Sequence, residues 1–185
     1  MNADLEIQNC IHVLQNGGTI LYPTDTVWGI GCDATNEKAV EKIFHIKKRS
    51  GFKSLIVLVS DEKMLNKYVK EVPVIASDLI ELSEHPLTII YDDGINLSKN
   101  IFAADGSIAI RIPMDEFCKN LIHIYRRPVV STSANISGEN VPRSFMEIKP
   151  EIKLSVDYVV TLRQKEISSS KASAIIKIRT NGEFE

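Results

Sequence analysis

The stretch Thr-Ile-Leu-Tyr-Pro-Thr-Asp-Thr-Val-Trp-Gly-Ile-Gly-Cys-Asp-Ala, from Thr19 to Ala34, constrains the fold most, because a short apolar strand runs there directly into a polar loop. Pro23 suits the end of a strand and cannot occupy a ladder position inside one, so Thr24, Asp25 and Thr26 leave the sheet with their side chains free. Gly29 and Gly31 then permit a close backbone approach that a Cβ would obstruct. Two readings fit these residues: a binding loop between strands, or a plain hairpin.

The rest of the chain alternates between the helical and the extended period. Asp4 to Gln15 carries Ile7, Ile11 and Leu14 on one face and stops at Gly17-Gly18. Asn36 caps a helix from Glu37 to about Lys48, with Val40, Ile43, Phe44 and Lys47 on one side. A lysine at the end of an apolar face points to the rim of a cavity rather than to open solvent. Ser54 to Val59 is an apolar run too short for a helix, hence a buried strand. Asp61 caps a helix through about Val69, and Pro73 suits the first turn of another that buries Ile75, Leu79 and Leu82.

Leu87 to Tyr91, Ser107 to Ile112 and Pro128 to Ser131 read as strands, the last ending where small polar residues begin. Asp115 to about Tyr125 is helical by spacing. A helical turn at Phe145 to Ile148, strands near Tyr158 to Val160 and from Ser173 to Ile178, and a polar loop from Arg163 to Lys171 complete the pattern. Strands alternating with helices imply an α/β sheet, mixed because several connections are too short for parallel crossovers, and one domain over residues 1–185. In such sheets ligands collect at strand ends.

Composition narrows the function. A formal charge of −2 argues against a protein that coats nucleic acid through bulk electrostatics, so any polyanion must be held locally. No run approaches the ~18 apolar residues of a membrane span, and the acidic start Met-Asn-Ala-Asp-Leu-Glu lacks a secretory signal, so a cytoplasmic, membrane-free protein is expected. Cys10, Cys32 and Cys118 stand too far apart in sequence to suggest a zinc cluster or disulfide framework.

The local cationic excess lies at Lys47, Lys48, Arg49 and Lys53. Lys47, Arg49 and Lys53 would give a polyphosphate point charges and a planar fork. Ser133 and Asn135, two apart in an extended segment, would grip a phosphate or a ribose hydroxyl. Arg111, set between Ile110 and Ile112, needs an anion or a water-filled cleft, because a buried unpaired charge is prohibitive. The plain alternatives are a solvated helix end for the basic run and a turn cap for Ser-x-Asn. No Walker loop, dinucleotide fingerprint or Gly-x-Ser-x-Gly elbow is present, and His12, His45, His85 and His123 lack metal-ligand spacing. Asp25 and Asp33 are the carboxylates that could reach a magnesium ion through waters.

These residues resemble the threonylcarbamoyl-AMP synthase, or YrdC-like, family. Tyr22 to Ala34 is similar to its first loop, and Ile-Phe-His-Ile-Lys-Lys-Arg with Lys53-Ser54-Leu55 to its Lys-x-Arg segment. Ile108-Ala109-Ile110-Arg111-Ile112-Pro113 is similar to its arginine-bearing strand, and Ser131-Thr132-Ser133-Ala134-Asn135 to its Ser-x-Asn motif. The resemblance implies a twisted, open α/β sheet flanked by helices with a positively charged concave face. It implies a nucleotidyltransferase that makes threonylcarbamoyl-AMP from L-threonine, bicarbonate and ATP with Mg2+, releasing pyrophosphate.

The product would feed tRNA threonylcarbamoyladenosine formation, completed by separate tRNA threonylcarbamoyl-transfer proteins. Carried over, Lys47 and Arg49 are the catalytic cations. ATP contacts fall on Lys47, Arg49, Lys53, Ser133 and Asn135. Threonine contacts fall on Thr24 and Arg111, with Ser131 and Ser173 as secondary candidates. The rival expectation is a double-stranded RNA or tRNA-binding module without synthase activity.

Overall fold

The computed structural model describes residues 2–49, 55–167 and 172–184. Helix α1 spans Ala3–Gln15, opened by the Asn2 side chain accepting from the Asp4 amide and closed at Gly17 in the left-handed region. Strands β1, Thr19–Tyr22, and β2, Gly29–Asp33, follow as an antiparallel pair. Helix α2, Glu37–Ile46, starts at Asn36, whose side chain accepts from Ala39. Then come β3 (Ile56–Leu58), α3 (Glu62–Leu65), α4 (Val74–Leu82), β4 (Leu87–Tyr91), β5 (Ile108–Arg111) and α5 (Glu116–Tyr125). The chain ends with β6 (Val129–Ser133), a 3-10 turn at Phe145–Glu147, α6 (Pro150–Ser155), β7 (Tyr158–Val159) and β8 (Ala174–Ile178).

Among the described residues the sheet has eight strands in the order β7-β1-β2-β6-β3-β5-β4-β8. The pairs β1/β7, β3/β5 and β4/β8 are parallel, whereas β1/β2, β2/β6, β3/β6 and β4/β5 are antiparallel. The mixed α/β sheet expected from the short connections is the observed one.

Register explains why the two faces differ. Residues directly opposite across a ladder share a face, so Cys32, Val130, Val57, Ile110 and Ile89 form one transverse row. Each is buried, and this side is continuous apolar core. The row that faces the other way reads Gly31, Ser131, Ile56 and Ala109; on the same face Gly29 and Ser133 lie one pleat to one side of that row and Arg111 one pleat to the other. Small and polar side chains leave a hollow there. Helix α1 packs against α5 and β1, and α2 against β2. Among the described residues no helix is long and apolar enough to cross a membrane.

Three local expectations shift. Strand β6 continues through Ser133 instead of stopping at Ser131, because Gly29 and Ile30 supply ladder partners to Ser133 and Thr132. Helix α3 ends at Leu65 rather than near Val69. Val69 bridges to Gly94 and the Tyr68 carbonyl accepts from Ile95, which pulls the backbone out of the helix while its apolar spacing persists. The six-residue α6, with Pro150 in its first turn, is too short to announce itself by periodicity.

Candidate functional site

The hollow on the small-residue face is a cavity of about 550 Å³, within the usual range for small-molecule sites. Thr24, Thr26 and Val27 come to it from the β1–β2 loop, Arg49 from beyond α2, and Arg111 from the end of β5. Ser131 and Ser133 come from β6, Arg143 from the following loop, and Ser173 from just before β8. A second hollow of about 450 Å³ lies on the other side of Arg49, against Phe44, His45 and Asn100.

The end of α2 places the two expected catalytic cations. Lys48 takes the left-handed conformation, φ 49°, while the Lys48 amide donates to His45 and the Arg49 amide to Phe44. That paired closure reverses the chain and sends consecutive side chains to different places. Arg49 lines the cavity. Lys47 turns inward instead, is 3% exposed, and lies behind the cavity wall.

The Lys47 Nζ donates to the Ser133 carbonyl at 2.5 Å, the Asn135 carbonyl at 2.8 Å and Asn135 Oδ1 at 3.3 Å. The Lys47 carbonyl in turn accepts from the Ser137 amide at 2.9 Å. Asn135 is therefore not a side chain reaching from a strand but the organiser of a turn. Its Oδ1 accepts from Ser133 Oγ at 2.5 Å and its Nδ2 donates to the carbonyls of Ile136 and Glu139. All the acceptors of Lys47 are neutral. Burial, reinforced by the charge of Arg49, pushes its pKa down to about 8.

Arg111 is 4% exposed and meets the need for an anion within the protein: its NH1 donates to Asp25 Oδ1 at 2.9 Å. The other oxygen of Asp25 accepts from the Met114 amide at 2.8 Å. Asp25 is thereby committed to Arg111 and not available as a bare magnesium carboxylate. Asp33 is likewise engaged, with Thr35 on one oxygen and Tyr125 and Arg127 on the other.

Arg111 keeps its Nε buried and without a hydrogen-bond partner, as does Tyr22 its hydroxyl. Such orphans cost about 1–3 kcal/mol each unless something satisfies them. Arg111 as a residue also lines the cavity.

Thr24 uses its own hydroxyl inside the loop, donating to the Val27 carbonyl at 2.7 Å and accepting from the Thr26 amide at 3.1 Å. Ser173 reaches the cavity while paired with Thr88 at 2.8 Å. Lys53 lies outside the described residues. Of the expected residues, then, Thr24, Arg49, Arg111, Ser131, Ser133 and Ser173 line one cavity, and Lys47 and Asn135 brace its wall from behind. Sequence reasoning missed Arg143, whose signal was an arginine in a proline-bearing loop, and the pairing of Asp25 with Arg111.

An α/β sheet carrying a cationic, hydroxyl-lined hollow on its small-residue face defines a domain suited to a small anionic ligand. The chain belongs to the Sua5/YciO/YrdC family, whose model, described as telomere recombination, matches residues 12–185. It is 31% identical over 185 residues to threonylcarbamoyl-AMP synthase of Pseudoalteromonas translucida, covering 98% of this chain and 97% of that protein. It is 30% identical over 151 residues to threonylcarbamoyl-AMP synthase of Psychromonas ingrahamii, covering 80% and 79%.

The crystal structure of P. abyssi Sua5 complexed with L-threonine superposes with a TM-score of 0.82 at 26% identity, over 93% of this chain and 50% of that one. The chain thus spans about half the length of P. abyssi Sua5. E. coli YciO, at 21% identity, shares the fold with a TM-score of 0.81 over 96% of this chain and 85% of its own.

Proposed function

We propose that this chain is a threonylcarbamoyl-AMP synthase, using L-threonine, bicarbonate and ATP and releasing pyrophosphate. The observation that carries the reading is the meeting of Arg49, Arg111 and the Ser131–Ser133 hydroxyls in one cavity whose wall is fixed by Lys47. The names of the two bacterial relatives and the threonine complex of P. abyssi Sua5 support it.

Arg111, which lines the cavity, receives the threonine carboxylate through its guanidinium, with the Thr24 loop, Ser131 and Ser173 around the amino acid. Arg49, Lys53 and Ser133 hold the nucleotide, Asn135 serves it by fixing the turn behind Ser133, and Lys47 joins them by exchanging one neutral carbonyl for a phosphate oxygen. Such an exchange trades a weaker acceptor for a charged one. Mg2+ arrives on the triphosphate. Among the described residues no group of three His, Cys, Asp or Glu side chains could cage it, and a phosphate-borne magnesium needs few protein ligands.

The reaction balances as two steps. The threonine amine adds to the carbon of CO₂, formed as bicarbonate loses hydroxide, and gives a carbamate with release of a proton. A carbamate oxygen then bonds to the α-phosphorus as the bridging α–β P–O bond breaks and pyrophosphate leaves. The arginines stabilise the charge that gathers on the leaving group, and the shared cavity supplies proximity. The product passes to separate tRNA threonylcarbamoyl-transfer proteins in the cytoplasm.

The rival RNA-binding reading is less well supported, because exposed cations are matched by carboxylates, Lys48 with Glu151 and Lys149 with Glu139. Incubating the protein with ATP, bicarbonate, Mg2+ and threonine is expected to release pyrophosphate only when threonine is present. Threonine-independent release, or none, overturns the assignment.

A further inference from the structure

β7 and β8 occupy opposite edges of the sheet, and Arg163 lies a few residues beyond the end of β7. Its backbone is left-handed, φ 59°, a conformation that a residue bearing a Cβ rarely adopts without something to hold it there. The guanidinium supplies the reason. NH1 donates to Asp115 Oδ2 at 2.6 Å, Nε to Glu166 Oε2 at 2.9 Å, and NH2 to the Thr24 carbonyl at 3.3 Å.

Two of those contacts bear on the cavity. Asp115 is the N-cap of α5, its other oxygen accepting from the Cys118 amide at 3.0 Å. Thr24 has turned its hydroxyl inward to close its own loop, so its carbonyl is the handle by which that loop is held from outside. The next residue, Asp25, is fastened to Arg111 and to the Met114 amide. Consecutive loop residues are therefore tied to one short stretch of chain, residues 111–115, by two arginines working in opposite senses. Arg111 reaches from that stretch to the loop. Arg163 bridges from the loop to that stretch.

We infer that Arg163 is a positioning residue for the amino-acid half of the cavity: it sets the height of the Thr24–Thr26 loop, and through Asp25 the aim of Arg111. The inference rests on the reading of Arg111 as the threonine carboxylate's partner. Three different nitrogens of the guanidinium serve Asp115, Glu166 and the Thr24 carbonyl, where a lysine would offer a single nitrogen.

Calorimetric titration of threonine and, separately, of MgATP into wild type, Arg163→Ala and Arg163→Lys tests this. Arg163→Ala is expected to weaken threonine about tenfold while leaving MgATP within twofold, and Arg163→Lys to fall between. Wild type that binds no threonine overturns the functional reading and this inference with it. Wild type that binds threonine, with Arg163→Ala binding it equally well or losing both ligands alike, overturns the positioning role alone. Should Arg163→Ala fail to fold, Arg163→Lys decides by the same criterion, with equal threonine affinity counting against the role.

Discussion

A buried ammonium with three oxygen acceptors and no carboxylate among them makes Lys47 both a brace and a charge. Ser133 and Asn135 offer it two carbonyls and an amide oxygen, and removing their common donor leaves those groups facing the protein interior. Lys47→Met should therefore destabilise by about 2 kcal/mol, a fall of roughly 6 °C in melting temperature for a chain of this size, and abolish turnover. Arg49→Ala, which touches the cavity without bracing the turn, should lower turnover by at least about a hundredfold with little change in melting temperature. Equal melting losses in the two variants would contradict the division of labour.

The same burial gives a pH signature. The folded pKa of Lys47, about 8, lies below the unfolded value of about 10.4. Between those two values the unfolded chain binds more protons than the folded one, so stability contributed at this site rises with pH across that window and is flat below it. The difference in unfolding free energy between wild type and Lys47→Met should widen from pH 8 to 10. A constant difference would mean that Lys47 keeps its proton throughout. Lys47's place at the end of an apolar stripe was readable in the sequence. That its amine turns away from the cavity was not, because the left-handed Lys48 that separates it from Arg49 has no glycine to mark it.

At the scale of the strand, the two glycines of β2 serve different ends. A Cβ on Gly31 would stand 2.8 Å from Tyr22 Cε1 and 2.8 Å from the Val130 carbonyl, so the Tyr22 ring occupies space that a side chain at position 31 would need. Gly31→Ala should cost about 1–3 kcal/mol by overpacking. A Cβ on Gly29 would meet Ser131 Oγ at 3.1 Å and Thr24 Cγ2 at 3.5 Å, both at the cavity. Gly29→Ala should leave the melting temperature nearly unchanged and raise the threonine KM several-fold. The opposite pattern in thermal melts and initial rates would reverse the assignment.

Both glycines were visible in the sequence as places of close approach. Which was which depends on register, since Gly31 pairs with Ser131 and Gly29 with Ser133, and pairing partners a hundred residues apart leave no local trace. The element types were legible because burial imposes a period: α1, α2 and α5 each carry an apolar stripe. The continuation of β6 through polar Thr132 and Ser133 was not, because there the ladder with β2, and not side-chain hydropathy, keeps the strand extended.

For the molecule as a whole, the cavity draws on the β1–β2 loop, β5, β6 and the approach to β8, segments from the interior of the sheet to its far edge. A ligand that joins them should therefore stabilise the entire fold and not one lobe of it. With threonine or MgATP at about a hundred times its dissociation constant, mass action adds about 2.7 kcal/mol to the folded state. For a chain of this size that raises the melting temperature by roughly 5–10 °C.

On the proposed assignment of Arg111 to the threonine carboxylate, Arg111→Lys should erase most of the threonine-induced rise while leaving that caused by MgATP. The replacement keeps a charge near Asp25 but has no planar fork left over for the incoming carboxylate. Arg49→Ala should do the reverse. Differential scanning fluorimetry of the three proteins with each ligand reads both effects at once. Loss of both rises in both variants would mean that the ligands share one undivided site, with no separate amino-acid and nucleotide halves for a carbamate to bridge.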